Sequence, residues 1–115
     1  MAQREVTESE VLMAMRLGGL AIRAGSEYWW VEALGDGRKL WLMPTFSCVR
    51  LGVSEPGDDT GFSCVYDYAD HHAGFRAVLG WDGQGDPEGW VRAWAAGGIP
   101  RRRPDGTPAS EYVAP

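Results

Sequence analysis

Asp70-His71-His72 is the stretch of this chain closest to working chemistry, since a carboxylate beside two imidazoles can ligate a metal or move a proton near neutral pH. On a strand, however, adjacent side chains point to opposite faces, so the two histidines would not share one ligand. No His-x-His or His-Glu-x-x-His accompanies them, and Asp67 is the further carboxylate that a metal site could draw on. The same residues also read as a polar turn joining two strands. Cys48 and Cys64 add sulfur but form no Cys-x-x-Cys pair. Three roles stay open for them: zinc ligands with His71 and His72, a cross-strand disulfide, or plain buried thiols. Asp82-Gly83-Gln84-Gly85-Asp86-Pro87-Glu88 offers hard oxygens in a Gly-rich loop, but it departs from the EF-hand order Asp-x-Asp-x-Asp-Gly at the third and sixth places. A turn followed by a helix cap explains those residues more simply. Gly-x-Ser-x-Gly and Gly-x-x-x-x-Gly-Lys are both absent. Asp70, His71 and His72 are therefore weak metal candidates, no catalytic set emerges, no cofactor is expected, and a non-enzymatic role is the preferred reading.

Charge carries more information than any motif. The 115 residues have a net charge of −5, which disfavours direct binding to nucleic acid. Residues 55–88 hold eight acids (Glu55, Asp58, Asp59, Asp67, Asp70, Asp82, Asp86, Glu88) against Arg76 alone. Such a run is either a set of solvated loops or an acidic face that meets a basic partner, and the residues assigned to that face are Glu55, Asp58, Asp59, Asp82 and Asp86. The basic side chains are ten arginines and Lys39, a bias that a GC-rich genome explains.

The elements that must position these residues follow from patterning. Thr7 and Glu10 form a capping box ahead of a helix from about residue 8 to 24, with Val11, Met15, Gly18 and Ile22 on one stripe and Leu12 and Leu20 flanking it. Gly18-Gly19 either breaks that helix or admits another element closely. Tyr28 to Leu34 reads as a strand, Gly35-Asp36-Gly37 as a hairpin turn, and Lys39 to Met43 as the returning strand, with Pro44 at an edge or bend. Phe46-Ser47-Cys48-Val49 recurs as Phe62-Ser63-Cys64-Val65, two further strands; a hairpin centred on Pro56 would set Cys48 opposite Cys64. Residues 73–79 fit a short helix, but Phe75, Ala77, Leu79 and Trp81 also alternate, and the strand is preferred. Asp86-Pro87-Glu88 looks like the start of a second helix with Trp90, Val91, Trp94 and Ala95 on one face, closed by Gly97-Gly98.

The expected architecture is α+β: an N-terminal helix, an antiparallel meander of four or five strands, a short C-terminal helix and an extended tail. Residues 1–98 make one domain and residues 99–115 a Pro- and Arg-rich tail, anchored by Tyr112 and Val113. Many of the six tryptophans are expected between sheet and helices. No apolar run is long enough to span a membrane, and no basic-then-apolar leader follows Met1, so a cytoplasmic protein is expected.

Arg101-Arg102-Arg103 is the strongest local basic signal. It can fold back on the acidic run, stay solvated, or clamp phosphates or carboxylates of a partner. Gly97-Gly98-Ile99-Pro100-Arg101-Arg102-Arg103-Pro104-Asp105-Gly106-Thr107-Pro108, followed by Glu111-Tyr112-Val113, resembles the C-termini of small accessory proteins encoded by bacteriophages and prophages. The resemblance implies a compact protein of a class in which some members block host enzymes or defence complexes by direct contact.

Three functions follow, in order of preference. The first is an interaction module whose acidic and aromatic face binds a protein with a basic surface, such as a host nucleic-acid-handling complex. The second is a small catalytic or metal-binding domain built on Asp70-His71-His72. The third is nucleic-acid binding through Arg101, Arg102 and Arg103.

Overall fold

The computed structural model describes residues 4–45, 48–58, 61–95 and 99–100. Helix α1 spans Glu8–Arg23 and opens on the expected capping box: Glu10 N–H donates to Thr7 Oγ1 at 3.2 Å, and Thr7 N–H donates back to Glu10 Oε1 at 3.3 Å. The glycine pair does not break it. A Cβ on Gly18 would lie 2.7 Å from Phe75 Cζ and 3.0 Å from the Trp29 carbonyl oxygen, so the missing side chain is what lets α1 approach its neighbours.

Six antiparallel strands follow in sequential order: β1 Trp30–Ala33, β2 Lys39–Pro44, β3 Val49–Ser54, β4 Cys64–Tyr68, β5 Arg92–Ala95 and β6 Ile99–Pro100. The α+β meander expected from the sequence is present, with a two-residue sixth strand at its far edge. Helix α2, His71–Gly80, sits between β4 and β5 in the chain. It packs on one face of the sheet, where Leu40, Leu42, Leu51, Val53, Tyr66 and Tyr68 are buried together with Phe75 and Val78. α1 covers α2 from outside through Val11, Ala14 and Gly18.

The second half departs from expectation in two linked ways. Residues 71–80 form the helix, not a strand, and residues 86–95 form a loop and β5, not a helix. Asp70 decides the first: its Oδ1 accepts from Ala73 N–H at 2.8 Å, an N-cap that the alternation of Phe75, Ala77 and Leu79 hides. The second is decided by β4, whose outer edge needs a partner and finds it in Arg92–Ala95. Asp86 is not a cap, because its carboxylate accepts from the Tyr66 hydroxyl at 2.9 Å, and Pro87 is buried beside it.

The β3–β4 register sets Cys64 opposite Val53, not Cys48. The connection is therefore not centred on Pro56; Ser63 N–H and Oγ both reach the Val53 carbonyl, and the Phe62 ring lies within 3 Å of where a Gly52 Cβ would stand. Neither cysteine is in a disulfide, and both are half-buried. Trp41 and Trp94 occupy the sheet face away from α2, so that face holds two of the tryptophans expected under the helices. Phe46, Ser47, the Gly97-Gly98 stop and the tail residues Tyr112 and Val113 lie outside the described residues.

Candidate functional site

Sequential antiparallel order dictates where the charged connections emerge. The β1–β2 turn at residues 34–38 and the β3–β4 connection at residues 55–63 share one end of the sheet, and the β2–β3 and β4–α2 connections share the other. The α2–β5 connection starts at the first end. There Arg38 Nη2 donates to the Gly83 carbonyl at 3.0 Å, and a Cβ on Gly37 would stand 3.3 Å from Pro56, so the β1–β2 turn touches both acidic loops.

This brings Glu55 and Asp58 to one side of that turn and Asp82 to the other, all exposed, with Asp86 exposed a few residues farther along the same loop. Local hydrogen bonds hold these carboxylates in place. Glu55 Oε2 accepts from Ser63 Oγ at 2.7 Å, and Asp82 Oδ1 accepts from Gln84 N–H at 2.9 Å. Asp36 adds a fifth carboxylate within the turn itself; hydrogen bonds from the backbone and guanidinium of Arg38 hold it below the usual carboxylate range. Asp59 lies outside the described residues, as do Arg101, Arg102 and Arg103.

The rest of the acidic run goes elsewhere. Asp67 sits mid-strand on the face away from α2, with no exposed surface, and accepts from Arg50 Nε at 2.7 Å and Arg50 Nη2 at 3.1 Å. Arg92 Nη2 approaches its other side at 3.3 Å. Both guanidinium carbons lie over the Trp94 ring, at 5.4 and 5.7 Å from its centre. The Asp67 carboxylate in turn raises the Arg50 pKa by hydrogen bonding. Neighbouring strands supply Arg50, Asp67 and Arg92 as one cross-strand rung, so a buried charge is compensated from both sides. Nothing in the linear sequence groups these residues; only the register does.

Asp70-His71-His72 is the first turn of α2, not a turn between strands. Asp70 serves as the cap, His71 meets the Trp29 ring edge-on at 4.7 Å between centres, and His72 Nε2 lies 2.7 Å from Glu8 Oε1. A cavity of about 410 Å³ lies between α2 and the N-terminal segment, with Arg4, Arg76, Glu5 and Glu88 among its lining. A second, of about 320 Å³, is lined by Thr45, Cys48, Asp70 and His71. Cys48 Sγ there lies 3.0 Å from Thr45 Oγ1 and 3.6 Å from Arg92 Nη2. Among the described residues no group of three or more His, Cys, Asp or Glu side chains is arranged to hold a metal ion, and no helix is long and apolar enough to cross a membrane.

The remaining unusual surface is on α1. Leu12, Met13, Leu17 and Leu20 are 55%, 56%, 47% and 51% exposed. The stripe named from the sequence turns inward, with Val11 and Gly18 buried and Met15 and Ile22 half-buried, while Leu12 and Leu20, expected to flank it, stay exposed. Compared with family models, curated proteins and solved structures, the chain matches none.

Proposed function

We propose that this protein is a non-enzymatic interaction module that docks the acidic end of its sheet against a basic surface on a partner protein. The observation that carries the reading is the convergence of two acidic loops on the β1–β2 turn, which gathers Glu55, Asp58 and Asp82 from positions 27 residues apart at the extremes. Carboxylates concentrated on one side raise the encounter rate with a cationic surface and disfavour acidic ones. Aromatic anchors contribute less than the sequence suggested, because Trp41 and Trp94 are half-buried and engaged with Ser54 and with the two arginines. In its narrower form the reading has a bacteriophage-encoded protein acting in the cytoplasm as an inhibitor, with the basic groove of a host nucleic-acid-handling or defence complex as its target.

The reading built on Asp70-His71-His72 has less behind it, since Asp70 and His72 are already committed to capping and to Glu8. The test is retention of proteins from an extract of the native host by wild type and by the triple variant Glu55→Lys, Asp58→Lys, Asp82→Lys. Wild type should retain a basic protein that the folded triple variant does not; equal retention by both would refute the proposal.

A further inference from the structure

We infer that the sheet face away from the helices binds single-stranded nucleic acid, with bases on a row of aromatic rings and phosphates on the Arg50–Arg92 rung beside it. The register builds both rows. Trp41 pairs with Gly52, Gly52 with Val65 and Val65 with Trp94, so these residues form one line across β2, β3, β4 and β5. Gly52 leaves the room that Phe62 fills, since a Cβ there would stand 2.7 Å from the Phe62 ring. Trp41, Phe62 and Trp94 therefore follow one line, each half-buried, and the two tryptophans are three strand spacings, about 14 Å, apart. Two residues along the strands, about 7 Å away, runs the second line of Arg50, Asp67 and Arg92, with the arginines about 10 Å apart. The helices pack on the opposite face, against Leu40, Leu42, Leu51 and Tyr66, so among the described residues no helix lies over either row.

Charge and shape select the occupant. Asp67 is the one carboxylate that the described strands carry on this face, and it has no exposed surface. The Arg50 and Arg92 side chains around it are 35% and 20% exposed, so the face shows solvent guanidinium groups and no carboxylate of its own strands. A second copy laid face to face would bring two more guanidinium groups and no exposed strand carboxylate to meet them. A chain whose repeating unit joins a planar ring to an anion uses both rows at once, because bases stack on aromatic rings and on guanidinium planes alike. A duplex keeps its base faces stacked inside and cannot. The net charge of −5 disfavours nucleic acid for the chain as a whole, but Glu55, Asp58 and Asp82 gather at the far end of the sheet. Ser54, which borders Glu55, is four residues from Arg50 along β3, roughly 13 Å and more than a Debye length in physiological salt. This surface is independent of the acidic end, so the failure of either proposal leaves the other standing.

The test titrates the full chain into a fluorescein-labelled oligothymidylate and into a duplex of the same length, followed by fluorescence anisotropy. The fold of every variant is checked by circular dichroism and melting. Wild type should bind the single strand about tenfold more tightly than the duplex. Trp41→Leu and Phe62→Leu, which keep apolar bulk but remove a ring, should each lose about fivefold or more. Two phosphate contacts predict a slope of about −1.4 for log affinity against log salt, and Arg50→Gln should roughly halve it. The triple variant Arg101→Ser, Arg102→Ser, Arg103→Ser should bind as wild type does. No binding to the single strand, equal binding to the duplex, or unchanged affinity in both ring variants overturns the inference. So does loss of binding in the Arg101–Arg103 variant, which would move the contact to the tail. A dimer in analytical ultracentrifugation that Trp41→Leu disperses would put a second copy on this face and overturn it as well.

Discussion

Two adjacent glycines in α1 should respond to the same substitution with opposite signs. Replacing a helical glycine by alanine stabilises by about 0.4–1 kcal/mol, through a narrower unfolded ensemble and better helix propensity. At Gly19 nothing lies within 4 Å of the new methyl group, so Gly19→Ala should realise that gain and raise the melting temperature by about 4 °C. At Gly18 the methyl would stand 2.7 Å from Phe75 Cζ and 3.0 Å from a backbone oxygen of Trp29. The ring can shift but the carbonyl belongs to the chain leading into β1, and overpacking of this kind costs about 1–3 kcal/mol. Gly18→Ala should therefore leave the protein unchanged at best and up to about 2.5 kcal/mol less stable, after the propensity gain is set against the clash. Urea unfolding of the two variants against wild type, read by far-ultraviolet circular dichroism, gives both numbers. If Gly18→Ala stabilised as much as Gly19→Ala, α1 would not sit against Phe75 and Trp29, and the assignment of its outer face would fail with it.

Other outcomes follow from the buried groups. Asp67→Ala removes the carboxylate that two partly exposed guanidinium groups share and should cost about 2–3 kcal/mol in chemical denaturation; a loss below ~1 kcal/mol would mean that the rung is idle. Burial holds the Tyr68 hydroxyl well above the ordinary tyrosine range, and its oxygen has no hydrogen-bond partner among the described residues. The unfolded chain gives up that proton near pH 10 while the folded chain keeps it, so stability should fall as pH rises beyond about 10. Tyr68→Phe should fall less steeply over that range and match or slightly exceed wild type at pH 7; parallel curves would contradict the burial argument.

What could be read from the sequence was local. The Thr7–Glu10 box and the Gly35-Asp36-Gly37 turn involve residues within a few positions of one another, and both appear where expected. Residues 71–95 defeated the same method because local signals there are balanced. Residues 73–79 fit both periods, and Asp86-Pro87 imitates a helix start whose aspartate is used instead by Tyr66, twenty positions away. The long-range pairing of β4 with β5 broke the tie. The Cys48–Cys64 alignment failed for a related reason, since the register of a long hairpin depends on how its connection packs and not on its midpoint. The acidic run was legible as composition, but its partition was not: Asp67 went into the Arg50–Arg92 rung and Asp70 into a cap, while Glu55, Asp58 and Asp82 reached the same end of the sheet.

The most direct measurement is the affinity of the retained basic partner for wild type and for the Glu55→Lys, Asp58→Lys, Asp82→Lys variant, titrated calorimetrically at low and high salt. Docking through the acidic end predicts a loss of about thirtyfold or more on reversal, and a wild-type affinity that weakens steeply with salt. Equal affinities, or a wild-type affinity indifferent to salt, would contradict it.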